Sequence, residues 1–181
     1  MAEAVMKDFV EIKPGGNPLK RIYLNLMLWF VGRAVQASSR VDHDVKKEFE
    51  GLPEGFTFAL GAFPNGPWMV VGKDNSGRVR YLGRKVKDRT INLWMTLKSM
   101  DALFLLFTFQ ESTPVSNARS RLFVEGDVPN ACAVVRILDI VQVYLLPRFI
   151  AKLAIKRYPR WSLKRQIISR ILVNARTIIG Y

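Results

Sequence analysis

The chain has 181 residues, 49% hydrophobic and 24% charged, which excludes intrinsic disorder and suits one domain with a real core or a ligand cavity. Its formal charge of +13, from 28 Lys and Arg against 15 Asp and Glu, calls for a polyanionic partner. Cys132 is the only cysteine, so no intrachain disulfide or thiolate metal cluster can form, and the composition fits a reducing compartment.

Residues 1–17 read as a flexible lead-in ending in Lys13-Pro-Gly-Gly-Asn17. Pro18 can open a helix to about Ser38, and a more polar helix follows through Phe49. Within the first, the apolar run Ile22 to Val31 follows Lys20-Arg21 and mimics a secretory signal. Glu3, Asp8 and Glu11 ahead of it and Arg33 behind it argue against cleavage, and it is too short to span a bilayer. It reads as a buried or membrane-lying helix. His43, the only histidine, sits between Asp42 and Asp44 in the charged stretch VDHDVKKEFE and reads as a solvated helix-surface residue.

After the break Gly51-Leu-Pro-Glu-Gly55, strand signals come in series: Phe56 to Phe63, Trp68 to Lys73, Arg78 to Gly83 and Thr90 to Leu97. Turns at Pro64-Asn65-Gly66-Pro67 and Asp74-Asn75-Ser76-Gly77 mark the first two connections as hairpins. Ser99 or Asp101 can cap a helix from Asp101 to Phe109, apolar almost all round, which Thr113-Pro114-Val115-Ser116-Asn117 breaks. The stretch Arg121 to Pro147 then reads as a strand that turns at Gly126-Asp127 directly into a long helix. Leu122 and Val124 fall on one strand face, with Arg121, Phe123 and Glu125 on the other. Gly126 permits the bend, Asp127 is the candidate N-cap and Pro129 suits the first turn. Val134, Val135, Leu138, Val141, Val143, Leu145 and Leu146 form a stripe too wide for one-sided packing.

The predicted architecture is α+β: a five-stranded mixed, mainly antiparallel sheet with helices covering one face, and amphipathic helices at both ends. Residues 18–147 form the domain and residues 148–181 a basic helical extension. After Asp139 there is no acidic residue, while Arg148, Lys152, Lys156, Arg157, Arg160, Lys164, Arg165, Arg170 and Arg176 are all basic. Beyond Pro159, Trp161 to Tyr181 has aliphatics at helical spacing opposite a purely cationic face. That pattern suits a helix lying in an anionic membrane surface; docking on its own domain or in a dimer is the alternative.

The order of elements and two local phrases resemble the sterol carrier protein type-two superfamily. One is Arg121, the strand LFVE, then Gly126-Asp127 opening a helix; the other is the strand Thr90 to Leu97 followed by Ser99, Asp101 and the Leu-Phe-rich Leu103 to Phe107. The resemblance covers roughly Phe49 to Leu146. Within the superfamily the look is nearest to the accessory lipid-binding factors of bacterial ubiquinone synthesis. The C-terminal basic extension is longer, and the hairpin loops richer in glycine and proline, than that subgroup suggests. The resemblance implies an apolar cavity and non-catalytic binding, presentation or transfer of a sterol, an acyl lipid or a polyprenyl quinone precursor. It implies no metal or redox cofactor.

On this reading Leu103, Phe104, Phe107, Phe109, Phe123, Leu138, Val141 and Leu145 are the candidate lipid-binding residues. Lys152, Lys156, Arg157, Trp161, Lys164, Arg165 and Arg170 are the candidates for a membrane surface, which makes the protein cytoplasmic and peripherally membrane-associated. The alternative is an interaction module whose surplus apolar surface is covered by a second copy or by a lipid-modifying enzyme. Nucleic acid is disfavoured, because the basic residues interleave with aliphatics rather than with stacking aromatics. An enzyme is disfavoured too: no phosphate loop, nucleophile elbow or His/Cys/carboxylate cluster is present.

Overall fold

The computed structural model describes residues 17–108, 110–111, 113–145 and 177. Helix α1 (Pro18–Val41) starts where Asn17 accepts the Lys20 amide at 3.4 Å and Pro18 occupies the first turn, where its missing N–H removes no bond. It ends at Asp42, whose extended backbone breaks the helix. The Asp42 carboxylate caps α2 (His43–Glu50) by accepting the amides of Asp44 and Val45 at 2.8 and 3.0 Å.

Five strands follow: β1 (Thr57–Ala62), β2 (Trp68–Lys73), β3 (Val79–Gly83), β4 (Leu93–Leu97) and β5 (Leu122–Glu125). They form one mixed sheet in the order β3-β2-β1-β4-β5. Among the described residues the one parallel pair is β1 with β4, so the chain crosses from β3 past β2 and β1 before β4 begins. Asp74 closes the β2–β3 turn by accepting the amides of Ser76 and Arg78 at 3.0 and 2.8 Å.

Helix α3 (Met100–Phe107) is capped by Ser99, which accepts the Ala102 amide at 3.1 Å. The stretch expected to be a plain break is instead a short helix, α4 (Thr113–Ala118). A proline near a helix start is compatible with the helix it opens, so Pro114 marks a beginning as well as an end. Helix α5 (Val128–Leu145) is capped by Asp127, which accepts the Asn130 amide at 3.2 Å. Gly126 is required at the β5–α5 turn: its φ is 135°, and a Cβ there would lie 2.6 Å from the Asn92 carbonyl oxygen.

Helices cover one face of the sheet. On that face Phe58, Leu60, Met69, Val71, Leu93, Met95, Leu97 and Leu122 point into the layer and are buried. Leu24, Leu28 and Val35 of α1, Leu103 of α3, and Val134, Ile137 and Val141 of α5 meet them. Each such side chain contributes about 1.5–3 kcal/mol on burial. Helix α1 lies close over β3 because Gly32 has no side chain; a Cβ there would fall 2.5 Å from the Tyr81 ring. Alternate residues point to the other face, where the Trp68 and Trp94 rings meet edge to face with centroids 5.4 Å apart. Helix α5 has the length and apolar composition of a membrane span, but within the domain its buried residues pack as core.

Candidate functional site

Between the sheet and the helices, at the β4–β5 end, the packing leaves an apolar cavity of about 170 Å³. Its floor is made of the buried residues Val31, Leu60, Met95, Phe107, Leu122 and Leu138; its rim of the half-buried Met27, Phe30, Leu106, Gln142 and Leu145. Four elements explain the void. Helix α1 crosses from the β3 edge, α3 is only two turns long, β5 puts Leu122 but not its same-face neighbour Val124 on the wall, and α5 contributes Leu138, Gln142 and Leu145.

Of the residues expected to bind lipid, Phe107, Leu138 and Leu145 come together on this wall. Leu103 and Val141 are fully buried in the adjoining core and do not line the void. Phe104 lies beside it, half-buried, with its ring edge to face on Tyr23 at 5.5 Å and Lys20 Nζ 5.0 Å from its centroid. Phe123 is on the opposite face of the sheet and is 46% exposed, because strand alternation turns Leu122 inward in its place. Phe109 lies outside the described residues, as do Lys152, Lys156, Arg157, Trp161, Lys164, Arg165 and Arg170.

Sequence reasoning missed the contribution of α1. Met27, Phe30 and Val31 belong to the run Ile22 to Val31, whose apolar character on every side was the available signal. That helix also carries an exposed apolar ridge, with Leu19 at 77%, Ile22 at 65% and Leu26 at 55% exposure. The ridge lies on the solvent side of α1. The cavity rim residues Met27 and Phe30 flank it on one side. On the other, Asn25 accepts a hydrogen bond from Arg84 at 3.0 Å, which brings up the basic loop of Arg84, Lys85, Lys87 and Arg89. Arg33 stacks on Trp29 at 5.2 Å on the same side.

Polar groups around the site serve structure. Glu111, 7% exposed, accepts from Ser116 at 3.0 Å and from both Arg119 and Arg121. Burial pushes its carboxyl up, but those hydrogen bonds and the Arg121 charge outweigh it and hold the group below its ordinary value. This network ties the segment between α3 and α4 to the start of β5. On the far flank of α5, Tyr144 donates to the buried Asp42 carboxylate, and Arg136 pairs with Glu48 at 2.8 and 2.9 Å. Among the described residues no cluster of three or more metal-ligating side chains occurs. Among the described residues lining the cavity there is no nucleophile with a base beside it.

No protein-family model matches the chain, and no curated protein matches it. Solved structures similar to it include a UbiJ-SCP2 ubiquinone synthesis protein, with TM-score 0.42 and 13% identity over 70% of this chain and 99% of the other. Sterol carrier protein 2 from Yarrowia lipolytica, in its apo form, gives TM-score 0.46 and 17% identity over 67% and 94%. The sterol carrier protein domain 2 of Helicoverpa armigera gives TM-score 0.41 and 13% identity over 71% and 94%. The likeness to sterol carrier structures expected from the Arg121-to-Pro147 pattern is thus present, and at these identities it is one of fold alone.

Proposed function

We propose that the chain is a non-catalytic lipid-binding protein that takes the tail of an apolar lipid into the cavity under α1, α3 and α5 while resting on a membrane. The observation that carries this reading is the void itself. A close-packed domain has no use for a dry space of about 170 Å³ lined almost wholly by aliphatic, Met and Phe side chains. An apolar cavity of about 150 Å³ is already enough to stay dry and accept a small apolar guest.

The size also narrows the guest. Whole drug-sized ligands occupy cavities of about 300 Å³ or more, so a fused sterol nucleus would require the helices to move apart. The end of one acyl or prenyl chain fits, with the rest of the molecule leaving through the rim. The ridge of Leu19, Ile22 and Leu26 beside that rim, with the Arg84–Arg89 loop along it, supplies an apolar wedge with a cationic border. That combination suits an anionic leaflet, and docking through it would turn the cavity mouth toward the lipid. The basic residues from Lys152 to Arg170 are proposed to add to the same attraction.

The test is displacement of a fluorescent polyene chain from the purified protein. The wild type should bind it and Leu138→Trp, which fills the void, should not. Met95→Phe, a smaller filling, should weaken binding with the fold intact. Equal binding by all three would remove the cavity reading.

A second reading, a protein-interaction module, is favoured by one observation: Phe123 and Val124 on the edge strand β5 and Val128 at the start of α5 are 46%, 40% and 68% exposed. If it is right, Phe123→Asp changes the mass of the assembly while chain uptake is absent throughout.

A further inference from the structure

One polar side chain interrupts the apolar wall. Gln142 sits on α5 between Leu138 and Leu145, one turn from each, and all three line the cavity. It is half-buried at the rim, where the void meets solvent. Among the described residues its amide makes no hydrogen bond, although it carries two donors and an acceptor. Among these residues the buried Ser38 and Tyr81 hydroxyls also lack partners but do not line the cavity, whereas two longer polar side chains on the inner surfaces are satisfied. Gln36 accepts the Tyr81 amide at 2.8 Å, and Lys73 donates to the carbonyls of Phe49 and Leu52 at 2.8 and 2.7 Å. Leaving an amide half out of water without a partner costs free energy that a leucine at the same position would avoid.

We propose that Gln142 is the polar anchor of the cavity and that the ligand is a single-chain amphiphile with a neutral hydrogen-bonding head, a hydroxyl or a ketone carbonyl. The chain end lies on Met95, Phe107 and Leu138, and the first polar atom of the ligand meets the Gln142 amide at the rim. This deepens the lipid-binding reading and rests on it.

The head is neutral for two reasons. An amide offers one polar contact and no charge, so it does not replace the water an ionised head would lose. In addition, Asp139 lies three residues before Gln142 and so on the neighbouring part of the α5 surface. Burial raises its carboxyl above the ordinary range, and no other influence on it is resolved. A carboxylate ligand would approach that half-buried acid, and among the described residues no Lys or Arg lines the cavity. Arg136, the nearest basic residue along the helix, is engaged by Glu48.

The experiment uses the same polyene probe with four competitors of matched chain length: 1-decanol, 2-undecanone, decanoate and decane. For the wild type, the alcohol and ketone should compete about fivefold better than decane, the worth of one neutral hydrogen bond. Decanoate should compete no better than decane. In Gln142→Leu, decane should be unaffected and the advantage of alcohol and ketone should vanish. Gln142→Asn, a shorter amide, should recover only part of it. Equal losses for all competitors in Gln142→Leu, or an unchanged advantage, would overturn the anchor while leaving the cavity reading in place. Decanoate as the best competitor would overturn the neutral head. If neither probe nor competitor binds the wild type, the cavity reading falls and the anchor with it. Thermal unfolding of Gln142→Leu is the fold control; its midpoint should equal or exceed that of the wild type.

Discussion

The two flanks of α5 are built differently. Toward α1 and α2, Tyr144 bonds the buried Asp42 and Arg136 grips Glu48, while nearby Gly32 lets α1 close onto Tyr81. Toward α3 and β5, Leu138, Gln142 and Leu145 face a void with no polar tie across it. One flank fixes the helix; the other leaves space under it. A helix held firmly on one side can keep a cavity open on the other, because the void cannot close without breaking directional bonds. The lesson is that the cavity and the polar network are parts of one arrangement, although no polar residue of that network touches the cavity.

Four substitutions test the contrast. The largest effect is expected from Gly126→Ala, which puts a side chain at a φ of 135° and 2.6 Å from the Asn92 carbonyl oxygen. The strain alone is worth about 1–3 kcal/mol and the contact adds to it, so denaturant unfolding should show a loss above about 3 kcal/mol or no folded protein. Tyr144→Phe removes one donor from a buried carboxylate, and chemical denaturation should register a loss of about 1–3 kcal/mol. If the fixed flank holds the void open, this variant also binds the polyene probe more weakly. Unchanged binding would separate the two flanks.

Glu111→Gln addresses the network that ties α4 to β5. The Glu111 carboxyl is held below its ordinary value of 4.5, so its contribution is present above that pH and is lost as pH falls through the lower folded value. The wild type should therefore lose stability in acid more steeply than the variant, as read by thermal midpoints between neutral pH and the acid range. Asp139 has the opposite sign. Its raised carboxyl costs stability at neutral pH, and the cost is relieved as pH falls through the raised value. Asp139→Asn should raise the midpoint slightly at neutral pH and lose that advantage in acid, the smallest of the four effects.

Much of this contrast was legible in the sequence. The hairpin turns at Asn65-Gly66 and Asp74 to Gly77, the caps Ser99 and Asp127, and the bend at Gly126 each need particular residue types, so they announce themselves locally. The parallel pairing of β1 with β4 does not, because nothing local distinguishes a strand's neighbour across the sheet. Helix α4 hid behind Thr113-Pro114, where the same dipeptide reads as an end or a beginning. For the site, alternation along β5 had already put Phe123 on the face opposite Leu122, yet its aromatic character placed it among the lipid residues; the periodicity was the better guide. Met27 and Phe30 were obscured because α1 is apolar on both its buried side and its exposed ridge. Gln142 was overlooked as one polar residue in an apolar stripe, although a lone interruption is the kind of signal that marks a binding wall.

The most direct test of the account is native mass spectrometry of the purified full chain, followed by organic extraction and identification of what is released. The account predicts a monomer carrying one single-chain lipid, absent from Leu138→Trp purified in parallel. An empty wild type with the mass of a stable dimer would contradict it and place the exposed apolar surface between subunits.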